Sequence, residues 1–392
     1  MSDVFVLSGQ RTAIGDYGKS LKDVPPTKLG EIAIRAALAK SGVAAAEIQT
    51  VVMGNIIHTE PRDVYLSRVS AVDAGIPVET PALTLNRLCG SGLQAIISAA
   101  QSILLGDADL AVAGGAESMS RGGYLLPSER WGARLGDSKV IDMVVGTLND
   151  PFGGGHMGIT AENVAARFDI SRETQDAFSV ESHRRAAAAI AAGYFKEQIT
   201  PVELPSRKGV TIFETDEHVR TDATLESLSG LKAAFKKDGT VTAGNASGLN
   251  DGGAALVLAS GAEVARRGAK PLARLVAYGN AGVDPNFMGI GPVPASKIAL
   301  KKAGLGVADI DVIESNEAFA AQACAVTQDL GLDPAKVNPN GGAVALGHPV
   351  GATGAIIAIK AIYELHRTQT RYALVTMCIG GGQGIAAIFE RV

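Results

Sequence analysis

Cysteine is scarce in this chain of 392 residues. There are three, Cys89, Cys324 and Cys378, far apart in sequence and without a CxxC pair. An odd, scattered set excludes a disulfide framework and a thiolate zinc site. The six histidines show no HExxH spacing, so no metal site is expected. No run of 18 uncharged apolar residues appears, and none is expected to span a membrane. The opening stretch MSDVFVLSGQRTAIG lacks a basic region followed by an apolar one, so no signal peptide is expected, and the closing FERV does not read as a peroxisomal address. Net charge is −4, with no basic excess to suggest nucleic acid. Unpaired thiols read most simply as a reducing, cytoplasmic setting. One motif is a decoy. GGGHMG at 153–158 matches GxGxxG but follows NDPF rather than a buried strand, so no dinucleotide site is expected there.

What is present is apolar and repetitive. The chain is 46% hydrophobic and 19% charged, and its length exceeds one ordinary core. Residues 37–52, ALAKSGVAAAEIQTVV, match 299–314, ALKKAGLGVADIDVIE, at six positions, among them Lys40/Lys302, Gly42/Gly304 and Ile48/Ile310. The same offset of 262 pairs Ser91-Gly92 with Thr353-Gly354, and Ile97 with Ile359. Two blocks sharing one offset without a gap indicate a duplication. Each half reads helix, strand, helix, strand: 28–41, 49–53, 90–105 and 108–113, then 295–303, 310–314, 351–365 and 371–377. The strands DLAVAGG and YALVTMC are continuous apolar runs, as strands buried on both faces require. Helices alternating with such strands predict two layered α/β halves related by a pseudo-twofold axis. The halves are residues 1–120, completed by 248–270, and residues 271–392. Between them, 121–247 has no repeat partner and reads as an inserted loop domain.

Four segments fall at carboxyl ends of strands, where ligands of α/β sheets sit. They are NRLCGSGLQA (86–95), SNEAFA (315–320), GHPVGATG (347–354) and CIGGGQG (378–384). Cys89 stands at a predicted helix N-terminus, whose dipole and free N–H groups favour a thiolate. It reads as a nucleophile or as a small core hydrophobe. His348, between Gly347 and Pro349, is placed to take a thiol proton, or to bond a loop carbonyl. Cys378 closes a buried strand ahead of Gly380, whose N–H suits an oxyanion; a core cysteine is the alternative. Asn316 holds an oxyanion or a water, or caps the helix that follows. Glu317 buttresses the site or completes that cap. Cys324 is assigned to the core.

Together these segments resemble the thiolases, the acetyl-CoA acetyltransferases and 3-ketoacyl-CoA thiolases, over essentially the whole chain. The resemblance implies a layered α/β/α/β/α fold of two duplicated halves, with the inserted loop domain covering coenzyme A. It implies reversible Claisen condensation of acetyl-CoA with acetyl-CoA or a short or medium acyl-CoA, giving a 3-ketoacyl-CoA and coenzyme A through a cysteine thioester. Cys89 would carry the acyl group and His348 would activate it. Cys378 would move the α-proton. Asn316, through a water, and His348 would form one oxyanion hole, and the N–H groups of Cys89 and Gly380 the other. Ser247 would contact pantetheine. His156, Arg220, Ala243, Leu249, Ala318 and Phe319 would line the coenzyme A tunnel, with Met157 and Met288 at the acyl end. Coenzyme A thioesters would be substrates, with no other cofactor.

HMGITAENVA (156–165), AGNASGLNDG (243–252) and VDPNFMGIGPVPA (283–295) look most like the tetrameric bacterial branch. That implies a homotetramer, a dimer of dimers, with 121–145 as its arm. DPFGGGH and Gly253 depart from the pattern, away from the catalytic set. Related ketoacyl synthases would use a second histidine where NEAF places Asn316. A non-catalytic acyl-CoA-binding protein, a coenzyme A thioester hydrolase, and a degradative 3-ketoacyl-CoA or 3-oxoadipyl-CoA thiolase are the competing readings. Chain length, direction and pathway are not set by the sequence.

Overall fold

A computed structural model describes residues 3–207 and 209–392. The first half builds β1 (Val4–Thr12), α1 (Pro26–Ser41), β2 (Thr50–Gly54), α2 (Leu66–Asp73), β3 (Ala82–Leu85), α3 (Ser91–Leu105) and β4 (Leu110–Ser118). The segment that follows carries α4 (Met157–Arg167) and α5 (Arg172–Ala191), and the chain returns through β5 (Asn250–Ser260). The second half builds β6 (Ala273–Gly282), α6 (Pro292–Ala303), β7 (Val312–Ser315), α7 (Ala320–Leu330), α8 (Thr353–Thr368), β8 (Tyr372–Ile379) and β9 (Gln383–Arg391).

The strand order is β3-β2-β4-β5-β1-β6-β9-β8-β7. A parallel pair followed by two antiparallel neighbours occurs twice, as β2-β4-β5-β1 and as β7-β8-β9-β6. The two runs meet where Phe5 and Val6 of β1 pair with Arg274 and Ala273 of β6. Helix α1 covers the outer face of the first run and α6 that of the second, while α3 and α8 lie between them. The result is the expected five layers, α/β/α/β/α. The duplicated glycines Gly42 and Gly304 close α1 and α6 at a φ of 69°, a backbone that a side chain disfavours.

The central layer explains the apolar strands and helices. Leu93, Ile96 and Ile97 of α3 interleave with Ile356, Ile359 and Ile362 of α8 in one buried cluster. The 18-residue stretch Leu88–Leu105 is long and apolar enough to cross a bilayer by length and composition alone, although Gln94, Gln101 and three serines interrupt it. Its apolarity belongs to the helix packed between two sheets. At their N-termini the two helices touch backbone to backbone. A Cβ on Gly92 would lie 2.7 Å from the Ala355 nitrogen, and one on Gly354 would lie 2.3 Å from the Leu93 nitrogen. Residues 121–247 are anchored to β1 by a buried fork. Arg11 Nη1 and Nη2 donate to Asp216 Oδ1 and Oδ2 at 2.7 and 2.9 Å, and both side chains are sealed from solvent.

A methyl group on Gly354 has backbone on its far side and cannot be absorbed by a rotamer change. Gly354→Ala is therefore expected to destabilise the fold by about 1–3 kcal/mol, as overpacking does. Scanning calorimetry should find a lower unfolding temperature; an unchanged one would show that the helices need not approach this closely.

Candidate active site

The loop ahead of α3 is shaped before any chemistry is considered. Ser91 Oγ donates to the Leu88 carbonyl at 2.6 Å and accepts from the Arg87 N–H at 2.8 Å. This tightens residues 87–91 and holds Leu88 at a φ of 44°, a strained value for leucine. Cys89 follows, in the turn rather than in the helix, which begins at Ser91. It is half-buried, on the wall of a cavity of about 440 Å³. The N–H groups of Gly380 and of Cys89 itself are directed at its sulfur and favour the thiolate. Burial outweighs them, with a minor contribution from the Glu117 carboxylate, and pushes the thiol up to about 11. The expectation of a resting thiolate is thus corrected: two amide dipoles do not repay the lost hydration.

His348 lies across the cavity from the other half. Its N–H donates to Asn250 Oδ1 at 2.8 Å. Its ring Nδ1 lies 2.7 Å from Thr353 Oγ1, which donates its single hydrogen to the Pro349 carbonyl at 2.9 Å. The hydroxyl can then only accept from the ring, so Nδ1 carries the proton and Nε2 presents its lone pair. Asn316 Nδ2 approaches that lone pair at 3.4 Å. Burial pushes the imidazole down to about 4, so it is a neutral base.

Cys378 ends β8 at 1% exposure, in an apolar cluster with Met157, Met288 and Phe319. That burial, and to a lesser degree the neighbouring Cys89 sulfur, pushes its thiol strongly up. Asn316 does not cap a helix, because α7 begins four residues later with Phe319 at its N-cap. Glu317 buttresses instead, accepting from Ser182 Oγ at 2.7 Å, Asn338 Nδ2 at 2.8 Å and the Val344 N–H at 3.1 Å. Cys324 is half-buried, packed on the apolar cluster of Ala165, Ile170 and Ala321 as its assignment to the core requires, with one side on the wall of a separate cavity beside Phe178.

The remaining expected residues converge on the cavity of Cys89. Gly380, Ser247, Ala243 and Leu249 line it, as do Ala318, Phe319, Met157 and Met288. His156 stacks on Phe235 with ring centres 4.6 Å apart, and its Nδ1 accepts from the Gly158 N–H at 3.1 Å. Its proton therefore sits on Nε2, and burial lowers its basicity. Arg220 lies at the rim, its own N–H donating to His183 Nδ1 at 3.1 Å. Asn316 reaches the site through His348 rather than through the cavity wall.

Some lining residues were not anticipated. His218 joins the wall with Nδ1 2.8 Å from Asp16 Oδ1. Val144 and Leu148 cover the Cys89 side from a short helix, Met143–Thr147, and its C-cap. Neither carries a motif: His218 lies in HVRTDA, and Val144 and Leu148 lie in MVVGTL, both within the segment that reads only as an inserted loop domain.

Two family models match in tandem: the thiolase N-terminal domain over residues 4–262 and the thiolase C-terminal domain over residues 269–391. The chain belongs to the thiolase family. It is 66% identical over 391 residues to the beta-ketothiolase BktB of Cupriavidus necator, covering 100% of this chain and 99% of that protein. It is 50% identical over 393 residues to an acetyl-CoA acetyltransferase of the same bacterium, with both chains covered in full. Human mitochondrial 3-ketoacyl-CoA thiolase superposes with a TM-score of 0.98 at 46% identity, over 100% of this chain and 99% of that one. A thiolase of this geometry has a neutral thiol facing a neutral imidazole of fixed tautomer.

The tautomer argument is testable. Thr353→Val removes the acceptor for Nδ1–H and should slow Cys89 acylation by about 10–100-fold, as loss of a partner that orients a histidine does in metal sites. Thr353→Ser should restore most of the rate. The pH profile carries the sign of the His348 shift. Its base form persists through the usual histidine range near 6.5, so acylation should stay level there and fall only as the pH nears about 4. A wild-type rate for Thr353→Val, or a break near 6.5, would contradict the assignment.

Proposed function

We propose that this thiolase catalyses reversible Claisen condensation of acetyl-CoA with acetyl-CoA or a short or medium acyl-CoA, through an acyl-Cys89 thioester. The observation that carries the reading is the convergence of Cys89, Cys378, Gly380 and His348 on one cavity, with Asn316 behind His348. Cys89 Sγ attacks the thioester carbonyl while His348 Nε2 takes its proton. The tetrahedral intermediate collapses, and the leaving coenzyme A sulfur takes the proton back from Nε2. Acyl-Cys89 and free coenzyme A result.

The second acetyl-CoA then loses an α-proton to Cys378 Sγ. That step uses the Cys378 thiolate, which an apolar surround makes scarce and strongly basic. The enolate oxygen is met by a water that accepts from Asn316 Nδ2, donates one hydrogen to the enolate and gives the other to the His348 Nε2 lone pair. The α-carbon attacks the Cys89 thioester, whose oxygen is met by the N–H groups of Cys89 and Gly380. Those two groups already aim at the Cys89 sulfur, which supports the assignment. The intermediate expels the Cys89 sulfur, which takes the proton held by Cys378, and the 3-ketoacyl-CoA departs. The reverse sequence is thiolysis, and a degradative 3-ketoacyl-CoA role uses the same groups.

Ser247 and the lining residues from 156–249 would hold pantetheine, with 121–247 as the covering domain between the two halves. The sulfur chemistry requires reduced thiols and fits a cytoplasmic setting. We also read the protein as a tetramer of paired dimers. Tyr124 is 63% exposed, Trp131 86% and Leu135 100%, more apolar surface than a stretch of this length leaves in water without a partner. Light scattering should give a tetramer mass. A dimer would remove the role of 121–145, and a monomer the whole assembly.

Radiolabelled acetyl-CoA separates the two cysteines. Cys378→Ser should still form acetyl-enzyme in near-stoichiometric amount, yet lose condensation and thiolysis. It should also stop exchanging the methyl protons of acetyl-CoA with deuterated water, since general bases contribute about 10²–10⁴-fold. Cys89→Ser should accumulate no label. Exchange at the wild-type rate in Cys378→Ser would require another base, with His348 the first to test.

A further inference from the structure

Glu117, one residue from the end of β4, is fully buried. Its oxygens take four hydrogen bonds from two halves of the molecule. Oε1 accepts from Asn55 Nδ2 and the Ile57 N–H, both at 3.0 Å. Oε2 accepts from the Ile56 N–H at 3.1 Å and the Gly351 N–H at 3.0 Å. All four donors are neutral. Burial pushes this carboxyl up to about 8, against the pull of the backbone donors. Three of the four donors are backbone N–H groups that cannot accept, so a protonated carboxyl could donate only to Asn55, by turning that amide to present its otherwise unpartnered Oδ1. That turn would break the bond from Asn55 Nδ2 to the Ala116 carbonyl, while the backbone bonds from Ile56 and Gly351 to Oε2 stay in place.

The segments joined are the ones that carry the two reacting groups. Ile56 packs with Cys89 and Val350 in one apolar cluster and lines the active cavity. Gly351 stands between His348 and the Thr353 hydroxyl that fixes its tautomer. A Cβ at Gly351 would come within 2.5 Å of Glu117 Oε2 and 3.2 Å of the Asn55 Cα. Residue 351 is bare where the carboxylate must reach it.

We propose that Glu117 is a positioning residue for acyl transfer: its buried carboxyl group fastens the wall beside Cys89 to the loop bearing His348, across the two halves. The proposal rests on the reading of Cys89 and His348 as the acyl-transfer pair. It assigns to one side chain the registration of two groups that come from opposite ends of the sequence.

The test is the single-turnover rate of Cys89 acetylation by radiolabelled acetyl-CoA, expressed per mole of enzyme that finally labels. Glu117→Gln keeps the size but turns one oxygen into an amide NH₂, which loses the Ile56 and Gly351 bonds in the place of Oε2 and the Ile57 bond in the place of Oε1. Its acetylation rate should fall about 10²-fold, the scale of a misplacement near 1 Å, with the KM for acetyl-CoA unchanged. Gly351→Ala pushes on the same contact from the other side and should show the same split. The double variant should be little slower than either single one. A lower labelled fraction with a wild-type rate in the enzyme that does label means that Glu117 only stabilises the fold, and overturns the proposal. So does a rate that falls only through KM. Label on a residue other than Cys89 in the wild-type enzyme would instead defeat the active-site reading, and the Glu117 proposal with it.

Discussion

Everything in this molecule is arranged around the contact of α3 with α8 at their N-terminal ends. Two helices with side chains at the crossing would stand 8–10 Å apart. Here Gly92 and Gly354 let each backbone reach the other. That contact brings the turn before α3, with Cys89, to the turn before α8, with His348. The sheets, the outer helices and the apolar interleaving of α3 with α8 hold this crossing in place. The separation of the Cys89 and His348 turns is thus decided by backbone packing, which is stiff, rather than by side-chain reach, which is not.

The same burial sets the resting charge. A thiol and an imidazole moved into an apolar wall shift in opposite directions, the thiol up and the imidazole down, because each loses the hydration of its charged form. The pair therefore rests neutral. The dipoles that favour negative charge, the N–H groups of Cys89 and Gly380, are in position before any charge exists. They gain full value only when a substrate oxygen becomes anionic, which is the condition for stabilising a transition state more than a ground state. A resting thiolate would have spent them early. Thr353 completes the arrangement by leaving Nε2 unprotonated, so the base needs no tautomer change before it acts.

The layering, the duplication and the four loops were legible in the sequence because each rests on a local rule. Apolar runs mark strands buried on both faces, glycine marks left-handed caps, and the offset of 262 marks the repeat. What was not legible depends on depth. Whether a helix dipole yields a thiolate at Cys89 depends on how dry the wall is, and dryness is a property of the assembled cavity. Asn316 read equally as a cap or as a site residue, and only the start of α7 four residues later decides it. Cys324 has helical apolar spacing, yet one face of α7 borders a cavity. Glu117 sits in GGAESMS, a strand end without a motif, and its four donors come from residues 55–57 and 351.

Duplication also explains why the two halves are not equivalent. At the offset of 262, Cys89 corresponds to Gly351 and His348 to Asn86, while Ser91 corresponds to Thr353. Both helices begin with a hydroxyl that turns back on the preceding loop. Ser91 donates to the Leu88 carbonyl, and Thr353 to the Pro349 carbonyl. In the first half the hydroxyl also accepts a backbone N–H, from Arg87, and so shapes the turn that presents Cys89. In the second it accepts the ring N–H of His348 and so fixes a tautomer. On the proposed roles of Cys89 and His348, one inherited turn supplies the nucleophile at one of its positions and the base at another. Two nucleophiles related by the twofold would face each other without a base, and two histidines would have nothing to deprotonate. The symmetric scaffold produces chemistry only because its two copies place different residues at different steps of the same turn, and the glycine opposite Cys89 leaves room for the carboxylate that ties the copies together.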